Sequence, residues 1–186
     1  SAVGVGINVT VSGYSIIGAA IGNYSLTQLV LSANIIANTP TLFSSGTLAA
    51  VNATYGTASA TPSSFSVSGQ SLTSAITVTA PTGFEVSLTS ASAYASSISV
   101  GAAGNVPSTL VYVRLTATNA IGSYSGNISL SSTDATTLTL ATASSTVSQK
   151  QLTISGLAGV DKTYDNTTVA SVSGFAILNG VVGIED

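Results

Sequence analysis

The 186-residue sequence contains no cysteine, methionine, tryptophan or histidine. Disulfides, thiol nucleophiles, imidazole catalysis and the most oxidisable side chains are therefore all absent, a combination that suits an exposed extracellular setting. Charge is nearly missing as well. Only 5% of residues are charged, against roughly 25% in an ordinary soluble protein, and the first of them is Glu85. The basic residues are Arg114, Lys150 and Lys162 and the net charge is −3, too few cations to neutralise a run of phosphates, so nucleic acid is excluded as an expected partner. Long apolar runs are also lacking. Ser, Thr, Asn and Gln interrupt every stretch before the roughly 18 residues of a membrane-spanning helix accumulate. Charge-driven disorder is excluded too, because 45% of residues are hydrophobic and mean hydropathy is +0.55.

What is present is alternation. Val9 and Val11, Phe65 and Val67, Ile76 and Val78, Phe84, Val86 and Leu88, Ile98 and Val100, Ile128 and Leu130, Leu138 and Leu140 each follow a period of two, as does the pair Leu152 and Ile154, which predicts half-buried strands. Residues 108–118 are apolar on both faces at their centre, with Val111, Val113 and Leu115 on one side and Leu110 and Tyr112 on the other. This predicts a central strand from which Arg114 emerges near the end. Turn signals such as Ser68-Gly69, Pro81-Thr82-Gly83, Ser125-Gly126 and Asn179-Gly180 recur about every ten residues, the spacing of a sandwich rather than a βαβ fold. Helical periodicity and caps are missing, so helix content is expected to be close to nil.

A local pattern occurs twice, as Gly22-Asn23-Tyr24-Ser25-Leu26 and Gly122-Ser123-Tyr124-Ser125-Gly126. Tyr24 and Tyr124 are either corners, with the hydroxyl bonded to upstream backbone and the ring in the core, or β-favouring aromatics on strands. Both roles are structural.

Chemistry is sparse. The carboxylates are Glu85, Asp134, Asp161, Asp165, Glu185 and Asp186. Glycoside hydrolysis needs two of them facing each other across a cleft, and Glu85, between Phe84 and Val86 of an alternating strand, reads as a solvated strand residue. Asp161, Asp165, Glu185 and Asp186 could offer oxygen ligands to Ca²⁺, but no D-x-D-x-D-G loop is present and they read as turn residues. Without histidine or a G-x-S-x-G elbow, a nucleophilic triad is excluded. Lys150 at a junction and Lys162 in a loop-like stretch do not suggest an isopeptide bond. No catalytic, cofactor or metal residue is assigned, and no ligand-binding residue either. The five N-x-S/T matches, at Asn8, Asn23, Asn52, Asn127 and Asn166, are expected by chance in a chain so rich in Ser and Thr.

Some stretches resemble known repeats. The residues from Thr54-Tyr55-Gly56-Thr57 through FSVSGQSLTSAITVTAPTGFEVSLTS and VYVRLTATNAIGSYSGNISLSS resemble the Ig-like repeat of large secreted Bacteroidetes surface proteins. The flanks, VTVSGYSIIGAAIGNYSLTQLVLSANI and LTISGLAGVDKTYDNTTVASVSG, resemble the closing and opening halves of the YDG-type repeat of filamentous adhesins. Tyr164-Asp165-Asn166 departs from the usual Tyr-Asp-Gly. The resemblance implies all-β, immunoglobulin-like sandwich modules in tandem: residues 1–38 the C-terminal part of a YDG-type module, 39–149 a complete Ig-like sandwich, and 150–186 the N-terminal part of the next. The opening SAVGVGINVT has no initiator Met, basic n-region or apolar h-region, and the chain is read as an internal segment of such an array.

The resemblance further implies a non-enzymatic stalk or filament segment of a cell-surface adhesin, associated with the outer membrane, exported by type IX secretion and serving attachment or gliding. Its partners would be neighbouring repeats, since edge strands with so few charges to guard them must be covered or used. The alternatives are a module binding a surface polysaccharide or other ligand, with Tyr14, Tyr55, Tyr94 and Tyr112 as stacking candidates, and a non-catalytic region of a larger secreted enzyme. Against the first stands the low aromatic content, 6% of the chain.

Overall fold

Alternating segments rich in Val, Ile, Thr and Ser become strands because branched and small side chains fit a pleated surface and lose helix-compatible rotamers. In the computed structural model, which describes residues 3–183, the only helical feature among those residues is a 3-10 turn at Ile21–Asn23. The chain divides between Thr39 and Pro40 into two compact units.

The first unit holds β1 (Gly4–Thr10) and β2 (Val30–Ile35), paired antiparallel from Thr10 opposite Val30 to Gly4 opposite Ile35, with an irregularity between Gly4 and Ile7. None of its described residues is buried. Tyr24 follows the 3-10 turn outside any strand and is 69% exposed. Neither sequence reading of Tyr24 holds, because a two-stranded ribbon offers its ring no core to enter.

The second unit contains a β-sandwich. One sheet orders β3 (Thr41–Ser45), β5 (Ser63–Leu72), β9 (Gly104–Leu115) and β7 (Phe84–Ser87). The other orders β12 (Leu138–Ala141), β11 (Asn127–Ser131), β6 (Ile76–Thr79) and β8 (Ser97–Val100). A smaller sheet of β10 (Gly122–Tyr124), β13 (Ser145–Ser148) and β4 (Ala53–Thr54) includes one parallel pair, β13 with β4. Phe65, Val67, Val111, Val113 and Leu115 of the first sheet share one buried cluster with Ile76, Val78, Ile128 and Leu130 of the second. Each such side chain contributes about 1.5–3 kcal/mol by leaving water.

Strand β9 is central, as its sequence predicts, lying between β5 and β7. Its second apolar face is not core, however. Leu110 is 43% exposed and Tyr112 is half-buried, because no layer of the fold covers the outer surface of that sheet there.

Hydroxyls replace charges as the polar fasteners inside the sandwich. Buried Ser59 donates to Val51 O at 2.7 Å and accepts from Leu115 N–H at 2.9 Å. Ser145 accepts from Val51 N–H at 2.9 Å. Ser87 donates to Ser92 O at 2.6 Å and accepts from Thr89 N–H at 3.0 Å, folding the following loop back along the edge of β7, where Val86 and Ala95 exchange backbone bonds. No buried side-chain polar atom among the described residues is left without a partner, which avoids the 1–3 kcal/mol that each such orphan costs, roughly.

Tyr124 forms the corner anticipated for it. Its hydroxyl donates to Ala120 O at 2.8 Å and its ring packs against the core cluster. The ring lies over Gly83, whose φ of +86° and missing Cβ both matter: a side chain there would drive into the Tyr124 ring.

Beyond the sandwich, β14 (Thr153–Val160) and β15 (Ser171–Asn179) form a two-stranded antiparallel ribbon with an irregularity between Ser155 and Leu157. All of its strand residues are exposed, Phe175 at 89%.

Candidate functional site

The titratable groups fall in separate places. On the outer face of the first sheet, Glu85 of β7 stands opposite Arg114 of β9, and Arg114 Nε donates to Glu85 Oε1 at 2.7 Å. The guanidinium also lies 3.8 Å from the centroid of the Tyr94 ring, a cation–π contact. Tyr94 is held in turn by its hydroxyl, which donates to Ser90 O at 3.1 Å. Burial pushes the Tyr94 hydroxyl above its ordinary pKa, offset in part by Arg114. Glu85 is therefore not the solvated strand residue expected from its neighbours: its side chain is 18% exposed and tied to a cation. With each member engaged by another, the trio fastens an edge strand and its loop to the centre of the sheet.

That cluster went unread in the sequence, although a signal was there. Residues 40–149 contain only Glu85, Arg114 and Asp134 as charged side chains, and two opposite charges on alternating strands of one small sheet have few other places to go. Asp134, in the connection from β11 to β12, adopts a left-handed φ of +61°.

A second cluster closes the β14–β15 ribbon. Asp165 Oδ1 accepts from Lys162 Nζ at 2.7 Å, from Thr167 N–H at 3.0 Å and from Thr167 Oγ1 at 2.9 Å. These bonds, the one from Lys162 first, hold the Asp165 carboxyl below the usual aspartate range. Between them Asn166 adopts φ +60°, a conformation that Gly enters freely and Asn tolerates better than most residues. Asp165 is thus engaged in turn geometry. Of the other cation-ligand candidates, Asp161 lies at the end of the same ribbon, while Glu185 and Asp186 lie outside the described residues. Among the described residues no three acidic side chains gather to hold a metal ion.

The third place is a cleft of about 530 Å³ where the β14–β15 ribbon meets the sandwich. Tyr55, Gln149 and Lys150 line it together with Ile121, Leu152 and Leu178. Gly56 secures one wall: with φ +81° and no Cβ it admits Val182, which any side chain at 56 would displace.

The four tyrosines considered for sugar stacking are not brought together. Tyr14 is exposed in the first unit, Tyr55 lines the cleft, Tyr94 lies against Arg114, and Tyr112 interacts with Tyr94. Among the described residues no helix is long and apolar enough to cross a membrane. Compared with models of protein families and with curated proteins, the sequence matches none of them.

Proposed function

We propose that this chain is a structural repeat segment, a piece of stalk or filament, of an extracellular bacterial surface adhesin. In this reading residues 39–149 are a complete Ig-like spacer module, and residues 1–38 and 150–186 are parts of YDG-type modules that neighbouring repeats complete. The observation that carries it is the contrast between a sandwich satisfied by its own core and two ribbons, one on either side of it in the chain, with open edges and exposed apolar side chains. A lone two-stranded ribbon is marginal in water, and its edges present unpaired N–H and C=O groups to any further strand. Asn166 supports the resemblance of the last segment, since it takes a glycine-like conformation at the position where the YDG pattern has Gly.

Function then lies in length and toughness. Strands of about ten residues span roughly 33 Å, so repeated modules reach far from a cell with little sequence complexity. Polar groups satisfied by Ser and Thr rather than by ion pairs make the fold insensitive to salt. Immunogold labelling of intact source cells with antibody to the sandwich tests the proposal. Label should line extended surface structures and disappear after protease shaving; label found only after lysis would sink it.

A further inference from the structure

The cleft between the β14–β15 ribbon and the sandwich has the size of a small-molecule site: about 530 Å³, within the 300–1,000 Å³ or so typical of ligand pockets. Its walls are mostly aliphatic, from Ile121, Leu152, Leu178, Val181 and Val182, with Tyr55 as the one aromatic residue among those that line it. One cationic group stands among them. Arg114 is paired with Glu85 and Lys162 with Asp165, whereas Lys150 has no ion pair among the described residues. The carboxamide of Gln149 lines the cleft beside it.

We propose that this cleft binds a small ligand carrying a single carboxylate on an aliphatic body. The carboxylate meets the Lys150 ammonium and the body lies along Ile121, Leu152 and Leu178. A cation bordered by low-dielectric walls attracts an anion more strongly than it does in open water, because fewer water molecules screen the pair. One cation matches one anion; a dicarboxylate would leave its second charge against Leu and Val without a partner. The proposal goes beyond the stalk reading; it requires Leu152, Leu178 and Val181 to stay open to the ligand, so a neighbouring repeat that completes the ribbon must leave the cleft mouth uncovered.

The test uses the full chain with labelled methyl groups, titrated with decanoate and observed by NMR. Decanoate should shift the methyl signals of Ile121, Leu152 and Leu178 and leave the core signals of Ile128 and Leu130 in place. Lys150→Gln should weaken binding about tenfold, the worth of one charge-assisted contact. Leu178→Asp, a change at an exposed position that leaves the core intact, should abolish binding. Decanol should bind at least tenfold more weakly than decanoate, and succinate should not bind. The proposal is overturned if millimolar decanoate moves none of the cleft methyls, if decanol binds as well as decanoate, or if Lys150→Gln leaves affinity unchanged. Shifts confined to Leu110 on the outer face would also overturn it, as adsorption elsewhere.

Discussion

The sandwich and the β14–β15 ribbon are written in the same alphabet and fold to opposite ends of the burial scale. Both alternate apolar and small polar residues, and both carry large hydrophobics at strand positions. Phe65 of β5 is 1% exposed, whereas Phe175 of β15 is 89% exposed. The difference is the second layer. A strand pair satisfies its backbone in one direction only, and its apolar face is buried when another sheet is laid across it. The first unit repeats the lesson, with Val5 of β1 and Val30 of β2 both largely exposed.

Truncation at matched aromatic positions breaks the comparison most sharply. Phe65→Ala should cost about 3–5 kcal/mol in urea unfolding, from lost transfer energy and the cavity left behind. Phe175→Ala should stay within about 0.5 kcal/mol. Equal losses at the two positions would mean that the ribbon is buried in solution.

Hydroxyl deletion is the next test. Ser59→Ala strands both Val51 O and Leu115 N–H in the core and should cost about 1–3 kcal/mol. Ser155→Ala removes an acceptor from Asn179 Nδ2 on the exposed ribbon, where water takes its place, and the midpoint should barely move. If Ser59→Ala were as silent, the hydroxyls would not be fastening the sandwich.

Smaller effects separate the two ion pairs. A double-mutant cycle on Glu85→Gln and Arg114→Met should return a coupling of up to about 1 kcal/mol, because the pair is partly shielded and Tyr94 covers the guanidinium. A coupling of zero would reduce the trio to a surface ornament. For Lys162 and Asp165 the reading is by pH. The Asp165 pKa is lowered in the fold, so its contribution to the turn is complete above the ordinary aspartate value and is lost as pH falls through the lowered one. An NMR titration of Asp165 and the Thr167 amide should therefore show a midpoint below 3.8, the ordinary value; a midpoint at or above it would remove the hydrogen bonds from Lys162 and Thr167 as its cause.

Much of this architecture is legible in the residues. The strands at Phe65 and Val67, Ile76 and Val78, and Ile128 and Leu130 follow from period-two alternation, since only that spacing sends every apolar side chain to one face. The Tyr124 corner was legible as one of two readings, because its pattern places a hydroxyl within reach of backbone four residues upstream. The same pattern at Tyr24 misleads, as local sequence carries no information on whether a core lies beneath the ring. Glu85 was misjudged for a related reason: its flanks Phe84 and Val86 point inward as expected, but the partner that removes Glu85 from water comes from β9, distant in sequence. The cleft around Lys150 could not be read at all, since its lining is drawn from four separate stretches of chain.

By itself the sequence determined the all-β class, the near absence of helix and the lack of any thiol or imidazole side chain, because side-chain period and residue inventory are local properties. Only the tertiary structure decided which alternating strands are covered, which tyrosine has a core to enter, and which of three cations has no ion pair among the described residues. Those outcomes depend on what stands across from a residue in space, and a one-dimensional pattern does not contain its opposite side.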